Sequence, residues 1–463
     1  MGRAVRRRSV GAASGAQGVG LREAFGVWAK VAVNSFGGPA GQIAVMHRFL
    51  VEERRWISEQ RFLHALNFCM LLPGPEAQQL ATYIGWLMHG NVGAVMAGVL
   101  FVLPGAIAIL ALSVVYALYG GVGVVSGLFF GLQAAVVAVV AEAVLRIGRR
   151  ALKTRAQVAL AVVAFVAVFF LEVPFPVIVV AAGGIGYVGG RVRPELFRTP
   201  CHAGAAAGSD LALIDEDGAA VSRSSARSAR AAAGVALVLW LTPVAVLLLF
   251  ASGSVYAQQA MLFSQSAVVT FGGAYAVLAY IAQQAVAGHG WLRPGEMLTG
   301  LGMAETTPGP LIMVVQFVGF LAAYRNPGML SPLAAGIVGS LLTTWVTFAP
   351  CFMFIFAGAP FIERLRGNRS LSTALSAITA AVVGVVLNLA VWFSVNTAFE
   401  QVDTVHRYGT RLLAPQMSSV NAAAVGIAAV ALLAIFRFKL SVMKTLAACA
   451  ALGLLAAVTV GTP

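Results

Sequence analysis

Charge is what this sequence has least of. Only 10% of its 463 residues are Asp, Glu, Lys or Arg, and 59% are hydrophobic. A soluble domain carries roughly 25% charged residues, so a soluble globular class is excluded. Acidic residues are the scarcer sign, 17 against 31 basic, for a formal net charge of +14. The arginines lie in short clusters between apolar segments, a distribution that orients a membrane protein. No soluble basic face exists to carry nucleic acid, so nucleic acid is not an expected partner. The four cysteines, Cys69, Cys201, Cys351 and Cys449, are far apart and form no C-x-x-C pair, which argues against a zinc site or redox dithiol. The six histidines show no metal-ligand spacing. No G-x-x-x-x-G-K-[ST] loop is present, which argues against a built-in ATPase. No cofactor, metal or enzymatic activity is expected. Strand-like alternation is missing, which excludes an outer-membrane barrel. The arginines at 3 and 6–8 are not followed by a clean apolar signal core, so residues 1–23 read as a basic cytoplasmic tail.

What is there instead is apolar runs of about 20 residues, each able to span a bilayer as a helix. They come in two sets. Phe36-Gly37-Gly38 and Pro73-Gly74-Pro75 recur as Phe271-Gly272-Gly273 and Pro308-Gly309-Pro310, and 271 − 36 and 308 − 73 both give 235. Trp56 meets Trp291 at the same shift. Farther on the shift is 350 − 104, or 246, which pairs Pro104 with Pro350 and Ala134-Ala135-Val136-Val137 with Ala380-Ala381-Val382-Val383. The first repeat, residues 24–190, holds six segments near 24–46, 61–89, 91–118, 121–147, 155–171 and 175–190. A polar linker, residues 191–231, is expected to be cytoplasmic and to lack regular structure. A linking transmembrane helix follows at 232–252. The second repeat, residues 253–463, has six segments near 259–285, 296–324, 332–357, 370–396, 421–436 and 440–460.

Six crossings return the chain to its starting side and the linking helix moves it across, so the second repeat is expected to be inverted. Arginine-rich loops at 146–155, 191–231, 363–369 and 437–439 then fall inside, as the positive-inside rule requires. The basic loop 48–61 resists, unless segments 24–46 and 61–89 turn back at their breaks rather than cross. The expected fold class is therefore an all-α polytopic membrane protein. It has two inverted repeats of about six apolar segments, one linking helix, and broken or re-entrant helices at the repeat interface.

Doubled hydrophobic segments broken by Gly or Pro at matching positions point to a transporter's binding site. Irregular backbone at membrane depth survives only against protein or a wet cavity. At the first break Gly37 and Gly38 free the backbone and Pro39 restarts a helix. Its partner keeps Gly272, Gly273 and a hydroxyl, Thr270 for Ser35. Pro-Gly-Pro stops a helix outright at Gly74 and Gly309. Half-helix N-termini at these places offer N–H groups and partial positive charge to a small oxyanion. The candidate substrate-binding residues are Lys30, Asn34, Ser35, Gly37, Gly38, Gly74, Gln78, Thr270, Gly272, Gly273, Thr307 and Gly309. Lys30 is either the counter-charge or a snorkelling lysine. Glu76 and Glu305, each apolar in the other repeat, are candidates for proton coupling; Glu76 would also serve as a plain helix cap. Glu142 and Arg146 are expected to form an ordinary i, i+4 pair.

Ser35-Phe36-Gly37-Gly38-Pro39, Leu72-Pro73-Gly74-Pro75-Glu76-Ala77-Gln78-Gln79, Phe101-Val102-Leu103-Pro104-Gly105 and Thr306-Thr307-Pro308-Gly309-Pro310 together resemble the chromate ion transporter family. The resemblance spans most of both halves, and the paired motifs make it specific. It implies export of chromate from the cytoplasm across the inner membrane, resistance to chromate, and sulfate as a similar competitor, with no cofactor. Long members of the family are similar in joining two homologous domains of opposite orientation. Transport of sulfate or a related oxyanion is the alternative. A membrane-bound chromate reductase is the rival from another class, and no flavin, haem or dithiol signature supports it. The partners expected are the oxyanion and the lipid bilayer, with a homodimer left open.

Overall fold

The computed structural model describes residues 19–192, 223–271, 273–361, 369–407 and 410–460. The expected tail lies outside them up to residue 18, as does the linker at 193–222. The proposed inner loop 363–369 is outside except for residue 369.

The first expected segment is a broken pair, α1 (Leu21–Val33) and α2 (Gly38–His47). The second is also broken, α3 (Glu59–Cys69) and the start of α4 (Glu76–Tyr119). At 44 residues α4 would be about 66 Å long if straight, twice a hydrocarbon core of about 30 Å. It kinks at His89 and Gly90, where Gly90 takes φ +60°, and this is the boundary between the second and third segments. α5 (Gly123–Ala151), α6 (Arg155–Phe169) and α7 (Phe175–Val192) complete the first set. α8 (Arg223–Phe250) links the halves.

The second set repeats the order. α9 (Val255–Val269) and α10 (Ala274–Gln283) form one broken pair. α11 (Pro294–Thr306) and α12 (Val314–Arg325) form the other. α13 (Pro332–Gly358), α14 (Arg369–Ala398), α15 (Ala422–Leu432) and α16 (Val442–Val460) follow. Even the π-helical turns recur, Arg48–Glu53 after α2 and Gln284–Gly288 after α10. One departure from an all-helical chain is a two-stranded antiparallel hairpin, β1 (Val402–Arg407) and β2 (Thr410–Pro415). Seven helices among the described residues are long and apolar enough to cross a membrane: α4, α5, α7, α8, α13, α14 and α16.

Contacts at the helix ends fix which end each broken pair uses. Arg54 reaches Glu23 at 3.4 Å, His89 bonds the Val19 carbonyl at 2.6 Å, and Asn91 bonds Ser228 at 2.9 Å. The first repeat's broken pairs therefore leave from one end of the bundle and return to it, and this is the arginine-rich end. In the second repeat Arg325, closing α12, bonds Glu296 and the Trp291 carbonyl at the opening of α11, at 2.8 and 2.7 Å. The Tyr116 hydroxyl, near the far end of α4, donates to Glu296 at 3.2 Å. These pairs use the opposite end, which also carries the β-hairpin.

The halves interlock. α5 packs on α15 and α16 of the other set, while α14 packs on α6 and α7. Small residues allow the close approach that helix packing in lipid requires. A Cβ on Gly131 would lie 2.0 Å from the Cys449 carbonyl oxygen, and one on Gly384 would lie 2.1 Å from that of Ala161.

Candidate functional site

Ser35 opens the first break. Its hydroxyl donates to the Val31 carbonyl at 2.6 Å, and Thr270 donates likewise to Ser266. Both hydroxyl protons therefore serve the preceding helix, which corrects the expectation that they face a ligand. The backbone carbonyls of the same two residues do something the sequence did not indicate. The Gly309 amide donates to the Ser35 carbonyl at 2.9 Å, and the Gly74 amide donates to the Thr270 carbonyl at 2.8 Å. Under the shift of 235, Ser35 becomes Thr270 and Gly74 becomes Gly309. The two bonds are one interaction seen twice, each tying the Pro-Gly-Pro of one repeat to the Gly-Gly break of the other. Each of these two N–H groups therefore already has its acceptor, and the donors expected near them are those of the following first turns.

Close packing backs this link. A Cβ on Gly105 would lie 2.7 Å from the Pro308 carbonyl oxygen, and one on Gly74 would lie 3.0 Å from Cys351 Sγ. Gly105 and Cys351 are themselves related by the shift of 246. Gln42 adds a bond from its side-chain amide to the Gly309 carbonyl, and Gln79 bonds Pro73 at 2.7 Å. Within each repeat the two breaks also meet, α2 against α4 and α10 against the short turn Leu311–Met313 that precedes α12. The four breaks thus close into a ring.

Donors remain in that ring. α3, α6, α9 and α15 begin near the ends of the bundle, and each has a side-chain cap, from Ser58, Thr154, Ser254 and Asn421. The helices that begin at the breaks have none: the caps are Gly37, Pro75, Gly273 and Pro310, with no side-chain bond. α1, α5 and α13 also lack one, but they start at the ends of the bundle, where water can solvate an N-terminus. Inside the ring the helix starts keep first-turn N–H groups with no side-chain cap, and carry the partial positive charge of a helix N-terminus.

The other expected residues divide. Gln78 is buried at the start of α4 with its carbonyl oxygen unpaired, and its amide bonds Thr82 at 3.0 Å. Thr307 is buried. Lys30 and Asn34 are exposed, and Asn34 bonds back to the Lys30 carbonyl at 2.8 Å. Gly37 and Gly38 take φ +82° and +67°, and Gly273 takes +113°. Gly272 lies outside the described residues. Glu76 opens α4. Glu305 is 3% exposed and accepts the hydroxyl proton of Tyr275, in the first turn of α10. Arg146 and Glu142 do pair, with Arg146 Nε to Glu142 at 3.0 Å. Tyr275 and Gln42 escaped the sequence reading. The only sequence signal for them was proximity to a break.

A family described as "Chromate transporter" matches residues 22–187 and 257–454. A chromate transport protein of Pseudomonas aeruginosa is 32% identical over 380 residues, 78% of each chain. The chain belongs to the chromate transporter family. It is a multi-pass membrane transporter, and the two matched regions coincide with the two sets of helices. A chromate transport protein of Cupriavidus metallidurans is 26% identical over 79% of this chain and 80% of its own. An uncharacterized transporter of Methanocaldococcus jannaschii is 24% identical over 79% of this chain and 82% of its own. No solved structure matches the transporter.

Proposed function

We propose that this transporter exports chromate from the cytoplasm across the inner membrane through one oxyanion site between two inverted repeats. The observation that carries the reading is the ring of four breaks, joined by the reciprocal Gly74–Thr270 and Gly309–Ser35 bonds and lined by uncapped helix starts. The ligands are first-turn N–H groups of α2, α4, α10 and the turn before α12, with Thr307 and Gln78 beside them. Lys30 and Asn34 lie one turn ahead of the first break and supply charge and a polar edge on the approach. Taking the arginine-rich end as cytoplasmic, the loop 48–61 lies inside, and the two repeats open toward opposite sides. Chromate transport proteins at 26–32% identity support the substrate.

The driving force need not be a coupled ion. One charge crossing 100 mV is worth about 2.3 kcal/mol, so a dianion leaving a negative interior gains roughly twice that. Glu76 and Glu305 are the carboxyls that would add proton coupling. Labelled chromate flux into everted vesicles tests the reading, with and without sulfate, under separately imposed potential and pH gradients. Uptake that follows a positive interior potential and is competed by sulfate is expected. Absence of chromate flux with robust sulfate flux would replace the substrate. Reduced chromium appearing without flux would replace transport by reduction.

A further inference from the structure

Glu142, Arg146 and Arg150 recur every four residues on α5 and share one face. α5 packs along α11, which ends at the second break of the second repeat, and a Cβ on Gly302 of α11 would lie 3.3 Å from Leu132 and Val136 of α5. On the same helix Arg146 is half-buried and Arg150 exposed. The shift of 246 carries these three positions onto Asn388, Trp392 and Asn396 of α14. Those three residues line a cavity of about 200 Å³ near the hairpin, together with Gln283 and Thr404, and no charged residue lines it. The counterpart of Gln283 at the shift of 235 is Arg48. The two counterpart stripes thus differ in charge, with arginines on α5 and neutral polar groups on α14.

Packing differs in the same sense. α10 lies against α14, and its residues 274–282 are all buried. α2, its counterpart, is only partly buried and does not pack against α5 in this way.

We infer that the Arg146–Arg150 stripe of α5 is a loading station where an oxyanion dianion is captured from the arginine-rich side before it reaches the ring. This rests on the export reading above. Glu142 holds the Arg146 guanidinium in place when no anion is bound. A tetrahedral oxyanion competes for the same fork of donors, which suits two oxygens at once. Arg150, one turn nearer the end, draws the anion in. The neutral Asn388–Trp392–Asn396 side holds it less tightly, so the two sides should differ in apparent affinity while the gradient and potential set the direction of net flux.

Initial chromate uptake into everted vesicles, which present the arginine-rich side outward, tests this. Arg146→Gln should raise KM about ten-fold or more, the scale of one charge-assisted hydrogen bond, with Vmax within about two-fold. Arg146→Lys should recover part of the loss, since the charge remains and the fork does not. Asn396→Arg, at the counterpart of Arg150, should lower KM for chromate offered to right-side-out vesicles. A wild type that moves no oxyanion overturns the export reading. A wild type that does, with unchanged KM in Arg146→Gln and Arg150→Gln, overturns the loading station alone. A second readout needs no substrate: the labelling rate of Ile147→Cys, with Cys201→Ser, by anionic and cationic thiol reagents. The anionic reagent should react faster, and Arg150→Gln should remove that preference. Equal rates before the substitution overturn the inference even if the arginine variants accumulate poorly.

Discussion

Two glycines with positive φ differ in what surrounds them, and the difference sorts their roles. Gly37 sits in the left-handed region at φ +82°, ψ +33°, with open space where a Cβ would stand. Gly37→Ala should cost about 1–2 kcal/mol, the left-handed penalty, and leave the bundle assembled. Gly309 sits at φ +113°, and a Cβ there would lie 3.0 Å from Gly105 Cα and 3.2 Å from its nitrogen. Backbone atoms cannot rotate aside, so Gly309→Ala should push α4 off the second repeat and break the Ser35 bond. Thermal unfolding in detergent should show a markedly larger drop for Gly309→Ala than for Gly37→Ala. Equal drops would mean the break is looser than its hydrogen bond implies. Glu305 is the other residue whose surroundings decide its role. Tyr275 supplies its hydrogen bond, with Arg146 and Glu142 as the neighbouring charges. Tyr275→Phe should leave Glu305 without its donor, at about 1–3 kcal/mol. Glu305→Gln keeps an acceptor and loses only the charge. If Glu305 couples protons, that variant should retain flux driven by potential and lose its response to an imposed pH gradient; an undiminished pH response would remove Glu305 from that role.

At the scale of elements, the closing of α12 onto the start of α11 turns two short helices into a unit. Arg325 bridges Glu296, whose side chain is 7% exposed against 35% for the arginine. Arg325→Leu would leave a buried carboxylate unpaired. A fully buried pair broken this way costs about 3–5 kcal/mol, and the partial exposure of Arg325 brings the expected loss nearer 2 kcal/mol. Adding Glu296→Leu should restore much of it, which a double-mutant cycle on thermal stability would reveal. This clamp also shows where sequence reading stops. The segments and their breaks were legible because Gly and Pro punctuate apolar runs and, at the breaks, do so at a fixed shift; residue 90 read as a gap between two segments, whereas α4 runs through it as one kinked helix. The reach of Arg325 back to Glu296 was not legible, because it joins residues 29 apart across a turn that no local pattern specifies. The site followed the same rule. Backbone breaks were readable at Gly37, Gly74 and Gly309, but the partner of each amide was not. Gly74 and Gly309 fasten the two repeats through their amides, and the proposed anion ligands are the uncapped first turns beside them.

For the whole molecule, the arrangement of the two repeats decides how a small anion can be passed from one side to the other. Both breaks of each repeat lie on hairpin-like pairs, so the loops joining α2 to α3 and α12 to α13 mark the ends those pairs use. The first loop holds Arg54, bonded toward Glu23, and the second holds Met329, fully exposed beyond Arg325. Opposite orientation requires these loops to face opposite compartments, whereas parallel repeats would put both on one side. Cys69, Cys351 and Cys449 are buried and free, so Cys201→Ser leaves a background suited to single reporters. With Glu53→Cys, a membrane-impermeant thiol reagent should label everted vesicles and spare right-side-out ones; with Met329→Cys the pattern should reverse. Labelling of both from the same side would overturn inversion, and with it the argument that the Gly74–Thr270 and Gly309–Ser35 bonds are related by an axis in the membrane plane. If the pattern reverses as expected, each bond is the hinge contact for one side, and weakening only one should bias which side the ring opens to. Gly105→Ala presses on Gly309, while Cys351→Val presses on Gly74. The two variants should therefore shift labelling at Ile147→Cys in opposite directions, a result no single-sided pore would give.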